Sequence, residues 1–192
     1  MIKDLIIKNR SYRGYDENYS FTKEQLVNYV DGARFCASSL NIQPLKYYIA
    51  WEKADVHKIR NRIMWARQLP QITLPHPGKQ PTAFIIICQD KDISASQNLF
   101  MKDVGIVAQS MLLMAAEEDL GGCMIGSFDG VKLREDLGIP DHLQPMLLVA
   151  LGKPAETIVL TEVGEDGKTA YYRDENDIHY VPKRKLEDLL IN

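Results

Sequence analysis

Residues 99–128 read LFMKDVGIVAQSMLLMAAEEDLGGCMIGSF, and their pattern does most to decide the fold. From Leu99 to Leu120 apolar side chains recur three and four apart. Val104, Val107, Ala108, Met111, Leu112, Ala115 and Ala116 make a band wide enough for one helix to pack on two sides. Gly121-Gly122 is expected to stop the helix, and Cys123 to Ile125 reads as a short strand. Gly105 and Ala108 leave a groove where another backbone or a flat ligand can approach, and Gln109 is polar within the band. So broad an apolar arc suits a core helix, and it equally invites a symmetric subunit interface.

Outward from this segment, Ala83–Cys88 (AFIIIC) and Met146–Leu151 (MLLVAL) are continuous apolar runs, the mark of strands covered on both faces. Tyr47–Trp51 is a further strand candidate. Shorter helices are expected at residues 2–8, where Ile2, Leu5 and Ile6 share a face, and at Val131–Leu137. Another should run from the capping box Thr22–Gln25 to about Phe35 or Cys36. Val56–Arg67 reads as an amphipathic helix buried through Val56, Ile59 and Ile63. Residues 69–82 carry Pro70, Pro75, Pro77 and Pro81 and are expected to form a surface loop. From Lys153 the chain looks polar and irregular, ending in a basic-apolar tail. The reading is one mixed α and β domain over residues 1–192, helices outweighing strands.

Composition narrows function by exclusion. The chain has 192 residues, 45% hydrophobic and 26% charged, with a formal net charge of -3. No bulk positive field recruits nucleic acid, so any anion site must be local. The N-terminus lacks a signal-peptide pattern, and the strongly apolar stretch Met111–Ala116 is too short to span a bilayer; no membrane association and a cytoplasmic location are expected. Cys36, Cys88 and Cys123 lack pairing spacing and read as small buried hydrophobes. His57, His76, His142 and His179 are scattered, so no metal site is expected, and nothing local favours a Cys-His hydrolase.

Four short segments carry possible chemistry. Arg10-Ser11-Tyr12-Arg13 sets two guanidiniums three residues apart around a hydroxyl, an arrangement that can converge on one phosphate or simply form a solvated loop. Ser38-Ser39-Leu40-Asn41-Ile42-Gln43-Pro44 offers hydroxyls and carboxamides able to donate and accept, and is also ordinary turn composition. Met124-Ile125-Gly126-Ser127-Phe128 places a glycine at a strand end, where backbone N–H groups can meet a ligand. Lys183, Arg184 and Lys185 either close over an anion bound by Arg10 and Arg13 or solubilise a C-terminal helix.

Taken in order, RSYR at 10–13, SSLNIQP at 38–44, DVGIVAQSMLLMAA at 103–116, LGGCMIGSF at 120–128, ALGKPAE at 150–156 and VPKRK at 181–185 resemble the nitroreductase family of FMN-dependent enzymes. The resemblance implies an α+β fold: a central, mostly antiparallel sheet flanked by helices, in an intertwined homodimer whose C-terminal arm, residues 180–192, packs on the partner. It implies FMN at the dimer interface, with Arg10, Ser11 and Arg13 of one chain holding phosphate and ribityl. Ser38, Ser39 and Asn41 would come from the other chain. Gly126, flanked by Ile125 and Ser127, would present N–H groups to the flavin edge, and Lys183 and Arg184 would add phosphate contacts. NADH or NADPH would deliver hydride to the flavin, and a small organic acceptor such as a nitroaromatic or quinone would then take the electrons, in ping-pong order. No side chain need act as general acid or base, so no catalytic residue is assigned. Ala37 and Leu45 depart from the family pattern and loosen inference about the adjoining pocket. Relatives with other reductive chemistry (dehalogenation, enoate reduction, flavin destruction) would differ in the lid over the ring, here about Ile59–Pro81, where Met64, Trp65 and Arg67 suggest a flat apolar acceptor with a negative group. An FMN binder without turnover and a flavin-free α/β dimer are the remaining alternatives.

Overall fold

The computed structural model describes residues 1–66, 68–69 and 71–192. Its frame is a five-stranded antiparallel sheet. β5 (Leu143–Pro154) is flanked on one side by β3 (Ala83–Asp90), with β2 (Leu45–Ala50) beyond it. β1 (Tyr15–Asp16) and β4 (Gly121–Ile125) also pair with β5. β3 is buried at every position, as its unbroken apolar run requires.

The two-residue period of β3 sorts the core into two layers. Ile85 and Ile87 face one cluster with Leu26 and Tyr29 of α2 (Lys23–Ala33) and Val104, Ala108 and Met111 of α4 (Gln97–Glu117). Phe84, Ile86 and Cys88 face the other, with Val56 and Ile59 of α3 (Lys53–Arg60) and Leu133 of α5 (Gly130–Leu137). A first helix, α1 (Ile2–Lys8), has no buried residue. The α2 capping box forms as read: the Gln25 N–H donates to Thr22 Oγ1 at 3.2 Å, and the Thr22 N–H to Gln25 Oε1 at 3.1 Å. By length and composition α4 would pass for a membrane span, yet half of that stretch is buried inside the fold.

Several expectations need correction. Gly121-Gly122 belongs to β4 and does not cap α4; the helix ends at Glu117 with Glu118 as its cap, Asp119 left-handed (φ 59°) and the Leu120 N–H bonded back to the Ala115 carbonyl at 2.9 Å. The glycines answer a packing demand. A Cβ on Gly122 would lie 2.1 Å from the Ala150 carbonyl oxygen, and one on Gly121 2.5 Å from the Tyr12 ring. α3 stops at Arg60, because Ile63 leaves the helix to bridge Phe128. The proline-rich loop is not purely superficial: Leu69, Leu74, Pro75 and Pro81 are buried. Pro70 and Arg67, the lid cation read from sequence, lie outside the described residues. Beyond Pro154 the chain is not irregular: β6 (Ile158–Glu162), β7 (Tyr172–Arg173) and β8 (His179–Lys183) form a second small sheet, β6 parallel and β7 antiparallel to β8. Residues 184–192 form no helix.

Candidate active site

A cavity of about 650 Å³ opens between the segment after α1, the outer face of α4 and β8. Arg10, Ser11 and Arg13 line it from the first, Gln109, Leu112 and Leu113 from the second, and His179, Val181 and Lys183 from the third. Among the described lining residues there is no carboxylate, so three cations face one another in a chain whose net charge is negative.

The backbone that carries the arginines is tied to β4: the Tyr12 N–H donates to the Gly122 carbonyl at 3.0 Å, and Ser11 bridges Gly122. The Arg10 guanidinium is partly anchored, Nη2 donating to the Ile6 carbonyl at 2.6 Å. Arg13 donates from Nη1 to the Ser11 carbonyl at 3.1 Å and lies 4.8 Å from the centre of the Tyr171 ring.

The small sheet is brought over this cluster by a buried ion pair. Arg173 pairs with Glu156, their side chains 1% and 2% exposed, and with Asp177 at 2.8 Å. Glu156 also accepts the backbone N–H of Arg13. One carboxylate therefore couples the start of the chain to β7, and β7 pairs with β8, which carries His179 and Lys183. His179 is 1% exposed, with its ring 5.1 Å from that of Tyr171. Burial, reinforced by the positive charges of Arg173 and Arg13, pushes its pKa down to about 4, with Asp177 opposing. The imidazole is neutral at pH 7.

Three buried polar atoms around this cavity have no partner among the described residues: Asn9 Oδ1, Arg10 Nε and His179 Nδ1. Buried polar atoms are rarely left unpaired in folded proteins; the two nitrogens in this positive cavity fit an anionic ligand such as a phosphate, while Asn9 Oδ1, an acceptor, fits a ligand hydroxyl or N–H.

A smaller cavity, about 260 Å³, shares Arg13, Met124 and Tyr171 with the first. Ile125, Gly126 and Ser127 line it from the end of β4, with Met64 and Trp65 from the loop after α3. The Met64 N–H donates to the Ser127 carbonyl at 2.9 Å, and the space a Gly126 side chain would occupy is open.

The structure thus gathers Arg10, Ser11, Arg13 and Lys183 on one cavity and Ile125, Gly126 and Ser127 on the one beside it. Arg184 follows β8, exposed and outside the lining. Ser38, Ser39 and Asn41 sit elsewhere in the chain, in a turn against α4. There Ser38 Oγ donates to Asp103 at 2.7 Å and Ser39 Oγ at 2.8 Å, while the Ser39 N–H donates to the same carboxylate at 3.0 Å. Ala37 and Leu45 line a third cavity beside them. Asn9, Tyr171 and His179 were not legible as site residues. Pro182, within the strand that carries His179, argues against reading a strand there.

Comparison with known proteins agrees with this architecture. The family model described as "Nitroreductase family" matches residues 6–153. A protein of Methanothermobacter thermautotrophicus that carries the provisional name NADH dehydrogenase/NAD(P)H nitroreductase is 27% identical over 164 residues, 81% of this chain and 78% of its own. A crystal structure of a nitroreductase family protein from Clostridium difficile 630 is 25% identical, with a TM-score of 0.64 over 81% of this chain and 85% of the other. A provisionally named nitroreductase from Exiguobacterium sibiricum, crystallised in complex with FMN, shares the fold at 17% identity, with a TM-score of 0.67 over 81% of this chain and 89% of its own.

Proposed function

The chain belongs to the nitroreductase family, and from that premise we propose that it is an FMN-dependent NAD(P)H oxidoreductase reducing a small organic acceptor. The observation that carries this reading is the carboxylate-free cavity where Arg10, Arg13 and Lys183 meet beside three unpartnered buried polar atoms. A relative of the same fold was crystallised in complex with FMN. In this reading Arg10, Arg13 and Lys183 neutralise the phosphate and Ser11 donates to it. Arg guanidiniums suit that role because each presents several fixed donors. When bound, FMN supplies two-electron chemistry, accepting hydride from NADH or NADPH and yielding the electrons to a second substrate that enters after the first has left.

The remaining work falls to the protein. In this reading backbone N–H groups at Gly126, between Ile125 and Ser127, donate to the ring edge, and the open space beside Gly126 lets the ring approach. The positive charge of Arg13 favours negative charge developing nearby, by the logic of an oxyanion hole. Met64 and Trp65 wall the smaller cavity with apolar surface and suit a flat acceptor. Arg184, outside the cavity in one chain, would reach a phosphate only after rearrangement of the tail.

The proposal includes a homodimer. Met101 and Ile106 are exposed on α4, with open space where a Gly105 side chain would lie, and Leu186, Leu189, Leu190 and Ile191 are exposed at the C-terminus. A second copy covering these faces would add Ser38, Ser39 and Asn41 of the partner subunit to the flavin site.

The test is the visible spectrum of the purified protein before and after NADH or NADPH. A flavin spectrum that bleaches supports the reading. A colourless protein that gains no thermal stability from FMN refutes it, and a yellow protein reduced by neither nucleotide marks a binder without turnover. Turnover with nitroaromatics, quinones and halogenated phenols then identifies the acceptor class.

A further inference from the structure

Another cavity, about 330 Å³, shares no lining residue with the three described above. It lies between α3, the segment after β1 and the start of β3. Lys53, His57 and Arg60 stand at i, i+4 and i+7 of α3 and line it from one helix face. Lys53 and Arg60 form no ion pair among the described residues. Arg60 is only partly exposed. One of its N–H groups donates to the Pro81 carbonyl, while Nε is buried without a partner. Thr82 Oγ1, also in the lining, is likewise buried and unpartnered.

A half-buried guanidinium without a counterion is a cost that folding tolerates only when something offsets it. Burial lowers the Arg60 pKa, with Glu17 the acidic group opposing. Glu17 is itself held by the Gln80 N–H at 2.7 Å. Lys53 and Arg60 set against Glu17 leave a single positive charge among these three side chains, which matches a monoanion better than a phosphate dianion. Beyond Ser20, the remaining wall is apolar: Val56, 4% exposed, and the Trp51 indole, with Lys23 Nζ 5.9 Å from its ring.

We propose that this cavity binds a small organic monocarboxylate, its head group between Lys53 and Arg60 and its flat body against Trp51 and Val56. Thr82 and Ser20 supply hydroxyl donors to the carboxylate. The site is independent of the flavin reading, since it uses none of those residues.

Isothermal titration calorimetry of the protein as purified, with sodium benzoate, benzamide and inorganic phosphate, tests it. Benzoate is expected to saturate one site per chain and to bind at least tenfold more tightly than either comparison ligand. Lys53→Gln and Arg60→Gln should each weaken benzoate at least fivefold while FMN content stays the same. Lys53 is exposed, so its variant keeps the test decisive if Arg60→Gln lowers the folded yield. Three results overturn the proposal: no saturable benzoate heat, benzamide or phosphate binding as well as benzoate, or a Lys53→Gln protein that titrates like the parent. The last result would place benzoate elsewhere, including the flavin cavity.

Discussion

Acidifying the FMN-free protein from pH 8 to pH 4.5 should expose the cost of burying His179. Its imidazole is held neutral, with a folded pKa of about 4 against 6.5 for the free side chain. The unfolded chain therefore takes up the proton first as pH falls. Stability attributable to this group is complete above pH 6.5, declines by about 1.4 kcal/mol per pH unit below it, and levels off near pH 4. Over the whole window the loss is about 3 kcal/mol, a large share of the roughly 5–15 kcal/mol of a typical domain. Carboxylates also titrate in this range: Asp177 and Asp55 are both held below their ordinary pKa and add their own losses as they protonate. The assay must therefore be differential. Urea unfolding at pH 8, 6.5, 5.5 and 4.5 is compared between the parent and His179→Phe, which keeps a ring against Tyr171 and removes the titration. Between pH 8 and pH 4.5 the parent should lose about 3 kcal/mol more than the variant, whatever their difference at pH 8. Parallel profiles would refute the reasoning, since His179 would then titrate alike in both states. Saturating FMN should shrink the difference, because a phosphate near His179 raises its pKa and favours proton uptake on binding.

Four further outcomes follow from the same geometry. Arg13→Ala should weaken FMN binding by about tenfold to a hundredfold, since a hydrogen bond to a charged group contributes roughly 1.5–3 kcal/mol; fluorescence titration of free FMN checks it, and unchanged affinity removes Arg13 from the site. Glu156→Ala should destabilise the chain by about 3 kcal/mol in urea unfolding, because it leaves the buried Arg173 guanidinium with Asp177, a half-exposed partner, as its remaining carboxylate; a variant that unfolds with the parent counts against the pair. Gly122→Ala should cost about 1–3 kcal/mol or more, as its methyl meets a backbone carbonyl that cannot move without parting β4 from β5; a variant melting with the parent counts against that contact. Truncation before Pro182 removes Lys183 and the exposed apolar tail, so sedimentation and the flavin absorbance should report loss of both dimer and FMN. A truncated protein that stays a yellow dimer contradicts the assignment of the arm.

What the sequence determined by itself was whatever depends on neighbours within a turn or two of chain. The 3.6-residue period gave away α4, the unbroken apolar run gave away β3, and Thr22 with Gln25 gave away the start of α2, because hydrophobic burial and capping are written at spacings of two to four residues. The Arg10–Arg13 spacing let two cations be read as a pair for the same reason, and both line one cavity.

Tertiary structure decided the rest. Locally, Gly121-Gly122 after a long helix reads as a stop; the requirement that made them glycines is the approach of Ala150 and Tyr12, both distant in sequence. The hydroxyls of Ser38 and Ser39 suit a flavin as far as composition goes, yet within one chain Asp103, more than sixty residues on, takes them. The small sheet escaped notice because its strands are short and half exposed, and its position depends on contacts distant in sequence, among them the buried pair of Glu156 with Arg173. That pair, through Arg13, carries His179 and Lys183 to the arginines. Long-range electrostatic contacts of this kind have no period, so only the folded chain reveals which charges meet.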